Sequence, residues 1–432
     1  VNLNSLLDSP LSDLHKGIPS GAPPLALREI GAQRWNVLQQ QLPLPLAVLK
    51  QSALDHNSRW MQSFLRLTGA KLAPHGKTTM APQLFARQLA DGAWGMTFAT
   101  VNQVRVAREF GVQRILLANQ LIGDVNIRYI LAELARDPQF EFCCLVDSLA
   151  GVELLAQQAR AANIGRPLCV LVEGGVVGAR CGARDLATAL ELARAVKQHE
   201  PLLSLRGVEG FEGSVSAPTP AETARRVHEF VKFLVNIAVA CEAEQLFGAA
   251  PWILSAGGSA YYDIVVEELL QAPLHQPFEV IIRSGCYLTH DSSFYRNLHE
   301  QLQARAPELA QLGAGLRPAL EVWAYVQSRP EPTRAILTLG KRDISFDLQL
   351  PLLEQWYRPG EHDRPQSMLA AHALVGLNDQ HGICDIPADS PWQVGDLVSL
   401  GVSHPCTTFD RWEWLPIVDD GYNIIEAIRT FF

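Results

Sequence analysis

At 432 residues the chain is longer than one ordinary hydrophobic core, so two domains are expected, one of them large enough for a barrel of roughly 250 residues. Its 45 acidic against 36 basic side chains give a formal charge of -9, and no dense run of lysine and arginine interrupts that balance. This excludes nucleic acid or an anionic membrane surface as the main partner and leaves a small molecule as the natural one.

The opening segment, residues 1–43, is rich in Pro and Gln and lacks the basic start and long apolar core of a signal peptide. No uninterrupted apolar run is long enough to cross a bilayer, so the expected location is the cytoplasm. From about residue 70, eight short apolar runs alternate with segments of helical period such as "ATALELARAVKQ". The runs are "KLAPHG" (71–76), "GMTFAT" (95–100), "RILLANQ" (114–120), "FEFCCLVDS" (140–148), "PLCVLVEGG" (167–175), "LRGVEGFEG" (205–213), "WILSAGG" (252–258) and "FEVIIRSG" (278–285). Strand and helix alternating eight times predict an α/β fold, a closed TIM-like (β/α)8 barrel over 44–300. An open doubly wound sheet is the competing architecture, but no GxGxxG follows the first run and a count of eight favours closure. After the helix-like connector "NLHEQLQARAPELAQL", strand-like runs such as "ALEVWAYVQSR" and "VGDLVSLGVSHPC" predict a β-rich C-terminal domain over 301–432. Eight cysteines, several inside apolar runs and none in a CxxC pair, read as reduced thiols.

In such a barrel the residues that follow each strand line the catalytic face. Lys77 stands at the end of the first strand and is one of only seven lysines among the 36 basic residues. Unlike a guanidinium, a desolvated amine can lose its proton and attack a carbonyl. A lone lysine at a strand end is more often a solvated loop residue; what favours chemistry here is the opposite rim. There "SAGGSAYYD" (255–263) and "RSGCYLTHD" (283–291) follow strands seven and eight, where barrels commonly hold phosphate on backbone N–H groups. A lysine facing two phosphate-type loops implies a phosphorylated aldehyde, and pyridoxal phosphate is the natural candidate. In "SHPCTTFD", His404 and Cys406 are two apart, so on an extended strand both face the same way. An imidazole and a thiolate together suit zinc and leave positions open for substrate and water.

These stretches carry a resemblance. "APHGKTTMAP" is similar to the PHxKT stretch around the cofactor lysine of the D-serine dehydratase and D-threonine aldolase family, relatives of alanine racemase with the type III pyridoxal-enzyme fold. "GMTFATVNQV", "ILLANQ", "LVDS", "ARCG", "GFEGS", "SAGGS", "SGCYLTHD", "GKRDISFD", "DQHG" and "GVSHPCTTFD" match in order, from about residue 45 to 410. The resemblance implies that Lys77 holds pyridoxal phosphate and moves protons at the substrate α-carbon. It places Arg180, within "ARCG", at the cofactor ring and gives the phosphate to Gly257, Gly258, Ser259, Gly285 and Tyr287. It implies zinc on His404 and Cys406 at the β-hydroxyl, and a homodimer.

The expected activity is dehydration of D-serine or a similar D-β-hydroxy amino acid to a 2-oxo acid and ammonia. Retro-aldol cleavage of D-threonine-like substrates is the alternative, followed by a racemase or a non-catalytic carrier of the cofactor. Cys406 resembles the dehydratase branch, since the aldolases tend to carry aspartate there. Three features depart from the family pattern. The turn "EGGVVGARCG" is long, Phe211 and Ser214 stand where many relatives have tyrosine and histidine, and "KTTM" lacks a basic residue often found after the lysine. His75, beside the lysine, is a positioning group or, by strand alternation, a buried one.

Overall fold

The computed structural model describes residues 1–258 and 260–432. Ser259, expected at the phosphate, lies outside the described residues. All eight apolar runs form strands, Lys71–Leu72, Met96–Phe98, Arg114–Gln120, Glu141–Val146, Leu168–Gly174, Leu203–Gly210, Trp252–Ala256 and Phe278–Ile282, paired in parallel as one sheet. The last strand pairs with the first through Ile281↔Lys71 and Ile282↔Leu72. The remaining edges are joined by a parallel bridge between His75 and Thr97, with the Thr97 N–H donating to Pro74 O at 2.9 Å. These contacts close the sheet into the expected barrel.

The connecting helices follow from local sequence. In Leu186–Gln198 the buried residues are Ala189, Leu192, Ala193 and Val196, one stripe at helical spacing, and the Asp185 side chain caps the first turn by accepting from the Thr188 N–H. Such a cap contributes about 1 kcal/mol, and each buried Leu or Val roughly 1.5–3 kcal/mol. Inside the barrel Ala73, Leu116, Cys143, Leu145, Leu171, Ile253 and Ile281 form a separate packed cluster that fills the interior.

The C-terminal sheet is antiparallel around Leu320–Glu331 and Leu397–Gly401. It also takes a strand from the other end of the chain. Leu46–Lys50 lies within the segment expected for the barrel, yet it pairs antiparallel with Leu320–Glu331 and in parallel with Trp414–Val418. Its side chains are buried on both faces, the mark of a central strand, and that mark does not say which sheet it enters. The segment 1–43 docks on this domain as well. The Trp414 indole donates to Lys16 O at 2.8 Å, and an antiparallel bridge joins Asn36 to Asn423. No helix among the described residues is long and apolar enough to cross a membrane.

After the eighth barrel strand come His290 and His299, rings 6.0 Å apart, with the Nε2 atom of each buried and unpartnered among the described residues. Burial lowers His290 to about 3 and His299 to about 4, below the ordinary value of 6.5. Both rings fold neutral, so unfolding between pH 6.5 and about 4 takes up protons on them, and their contribution to stability falls as pH falls through that window. His299→Gln removes one titrating ring. The difference in thermal midpoint between parent and variant should therefore change with pH below about 6.5, and a constant difference would refute the assignment.

Candidate functional site

A cavity of about 290 Å³ opens at the end of the barrel where the strands finish, and Lys77, Arg180, Gly257, Gly285, His404 and Cys406 all line it. Lys77 sits in the turn Gly76–Thr78 directly after the first strand. That turn needs glycine, because a Cβ at Gly76 would stand 2.3 Å from the Phe98 ring. The Lys77 amine makes no ion pair or hydrogen bond among the described residues. His75 lies alongside with its Nδ1 buried and unpartnered among the described residues. Burial, reinforced by the charges of Lys77 and Arg283, holds its imidazole well below the ordinary range, so it is neutral.

The glycine rim divides its tasks. At Gly285 a Cβ would lie 2.7 Å from both His75 Cβ and Thr78 Oγ1, so only glycine allows this loop to approach the lysine turn. The N–H groups of Gly285, Cys286 and Tyr287 have no partner among the described residues and are free for an anion. Gly258 is different. Its φ of +74° suits glycine, but its N–H already donates to Glu212 Oε1 at 2.6 Å, so it supplies a bend and not a free donor. The Tyr287 side chain also departs from expectation: its buried phenol is bonded to Gln88 and does not line the cavity, which leaves position 287 only its backbone donor.

Arg180 is exposed at the mouth, its guanidinium 4.7 Å above the Phe211 ring. A second arginine, missed by the motif reading, lines the floor. Arg283 is 4% exposed, ion-paired with Glu209, and donates to Ser255 Oγ at 2.6 Å and Gly210 O at 3.0 Å. Burial, opposed by Arg283, pushes Glu209 up to about 7. The available signal was an arginine closing the apolar run "EVIIR", where it must enter the barrel or leave its strand. Ser214 does not line the cavity.

His404 and Cys406 both reach the cavity, though not from an extended strand. Pro405 is helical, with φ −56° and ψ −44°, and Cys406 begins the short helix Cys406–Phe409. The His404 Nδ1 meets Asp347 Oδ2 at 2.6 Å, and Asp347 also accepts from Thr407 Oγ1 at 2.7 Å, which fixes the ring through its other nitrogen and leaves Nε2 unclaimed by Asp347. A hydrogen bond from Cys286, then the His404 charge, hold the Cys406 thiol well below its ordinary range. Burial works against charge on His404, but Cys406 and Asp347 together raise it to about 9. An adjacent imidazole and thiolate make a donor set suited to a borderline-soft cation such as zinc. The free amine, the three free N–H groups and the glycine approach likewise fit a phosphorylated aldehyde. On another wall, the ligand atoms of Asp147, Glu173 and Cys181 lie within 4.8 Å of one another.

The chain is similar to known proteins over most of its length. Residues 319–418 match the family model described as "Putative serine dehydratase domain". A D-threonine aldolase of Arthrobacter is 25% identical over 393 residues, 89% of this chain and 90% of the relative. A D-threo-3-hydroxyaspartate dehydratase of Delftia is 29% identical over 378 residues, 85% of this chain and 92% of the relative. A solved variant of the Delftia protein, in metal-free form, has a TM-score of 0.71 at 22% identity and covers 92% of this chain and 99% of its own. The D-threonine aldolase of Filomicrobium marinum has a TM-score of 0.72 at 20% identity, with 90% and 95% covered.

Proposed function

We propose that this chain, which is similar to a D-threonine aldolase and a D-threo-3-hydroxyaspartate dehydratase, is a pyridoxal-phosphate-dependent, zinc-assisted dehydratase of D-serine or a similar D-β-hydroxy amino acid, releasing a 2-oxo acid and ammonia. The observation that carries this reading is the meeting, in one cavity, of an unpaired lysine amine and an imidazole–thiol pair from a different domain.

Bound pyridoxal phosphate supplies an electron sink for the substrate α-carbon, and bound zinc supplies a Lewis acid at the β-oxygen. Lys77 holds the cofactor and takes the Cα proton. The N–H groups of Gly285, Cys286 and Tyr287 hold the phosphate, with Gly257 keeping side chains clear of it. Arg180 places positive charge at the ring, which disfavours a protonated ring nitrogen, and Arg283, compensated by Glu209, lines the cavity floor. His404 and Cys406 hold the metal, and Asp347 keeps the imidazole oriented. The neutral His75 supports the lysine turn without adding charge beside the amine. The titre of ammonia and 2-oxobutanoate formed from D-threonine tests the choice of branch: these should be the products, and glycine with acetaldehyde as the main products would reject dehydration while sparing cofactor and metal. Retro-aldol cleavage is the second reading, favoured by the Arthrobacter relative, which aligns over 90% of its length.

A homodimer belongs to the same reading. Phe346, Leu348, Leu350 and Leu352, alternating beside Asp347, are 38%, 44%, 37% and 39% exposed, an apolar row that a second copy at the cavity mouth would cover. Sedimentation should give twice the chain mass; a monomer at working concentration would reject this part.

A further inference from the structure

We propose that Cys286 is a third protein ligand of the metal held by His404 and Cys406, so that the ion ties the barrel to the C-terminal sheet. The inference rests on the metal reading above and changes its ligand count, its geometry and its origin in the fold.

The Cys286 and Cys406 sulfurs are 3.9 Å apart, although 120 residues separate them in the chain. Two thiolates bound to one tetrahedral zinc, each at about 2.3 Å, stand roughly 3.8 Å from each other. Cys286 is 5% exposed and lines the same cavity as Cys406, so its sulfur faces the site and not the surrounding core. Thr78 Oγ1 sits beside both sulfurs, 3.9 Å from Cys286 and 3.6 Å from Cys406, and steadies the pair from the lysine turn. Cys406 is the common member, hydrogen-bonded to Cys286 on one side and to His404 on the other. The three donor atoms are not all within 4.8 Å of one another, so loading draws the imidazole and the sulfurs together around the ion.

Chemistry favours the same set. A histidine with two thiolates neutralises a divalent cation and leaves one tetrahedral position for the substrate oxygen, whereas two protein ligands alone hold the ion less firmly. On loading, both sulfurs bind as thiolates and His404 binds as the neutral imidazole, so the proton of the Cys286 thiol and the Nε2 proton of the His404 imidazolium are released to solvent. The ligands then come from two separate segments, the loop after Phe278–Ile282 and the turn Ser403–Phe409, so the metal also fixes how the barrel mouth meets the sheet.

X-ray absorption at the zinc edge of the loaded holoenzyme tests this. The parent should show two sulfur scatterers, Cys286→Ser one, and Cys181→Ser, which alters the thiol on the other wall, still two. Zinc affinity, measured by competition with a chromophoric chelator, should fall at least tenfold in Cys286→Ser. Retained cofactor absorbance establishes that the variant is folded, and Cys286→Thr is the second choice if serine is not tolerated. One sulfur in the parent, lost in Cys406→Ser and unchanged in Cys286→Ser, overturns the third ligand and leaves the two-ligand site intact. Zinc that fails to bind, or whose sulfur is lost in Cys181→Ser, overturns both.

Discussion

Lys77→Ala should purify without the visible absorbance of bound pyridoxal phosphate and should lose turnover by roughly 10³-fold or more, because in the proposed chemistry the same amine holds the cofactor and moves the α-proton. The other six lysines are already engaged. Lys16, Lys50, Lys71, Lys197 and Lys232 are ion-paired with Asp343, Glu321, Glu279, Glu200 and Glu268, and Lys341 stands 5.5 Å over the Phe346 ring. Lys77 alone has no such partner among the described residues and lines the cavity. Borohydride reduction of the holoenzyme followed by peptide mapping checks this directly. A label on Lys50 or Lys341, or a coloured and active Lys77→Ala protein, would remove the foundation of the proposed chemistry.

Stripping the metal should lower turnover about 100-fold or more while the cofactor absorbance stays, since in the proposed chemistry the ion serves the departing oxygen and Lys77 serves the cofactor. Zinc should restore activity to the parent and not to His404→Ala. The variant also leaves Asp347 without its imidazole partner, so a control is needed: Asp347→Asn keeps the ligand and loosens only its orientation. It should bind zinc about 10–100-fold more weakly yet recover turnover at saturating metal. Full activity in a demonstrably metal-free sample would reject metal assistance. Loss of both absorbance and activity on chelation would instead mean that the ion holds the site together.

The turn that carries His404 and Cys406 shows where local reasoning succeeds and where it fails. Two residues at i and i+2 do share the cavity, but the strand geometry invoked for them is absent, because Pro405 adopts helical angles and begins the turn Cys406–Phe409. The two side chains converge through the packing of that turn on Thr78 and Cys286. The phosphate rim is similar. Its glycines are visible in the sequence, yet the donor at Gly258 is occupied by Glu212, 46 residues away, and the Tyr287 phenol turns to Gln88.

What the sequence determined by itself was periodic or scarce. Eight apolar runs at regular spacing specify eight strands whatever surrounds them, because alternation and helical stripes are set by backbone geometry within a dozen residues. A lysine that is one of seven stands out without any structure. What only the tertiary structure decided depends on closure: which sheet receives Leu46–Lys50, how the first barrel strand meets both the second and the eighth, that Arg283 is compensated by Glu209, and that Cys286 faces Cys406. A buried charge or thiol takes its chemistry from whichever residue the folded chain brings within a few ångströms, and partners separated by 74 or 120 positions leave no local trace.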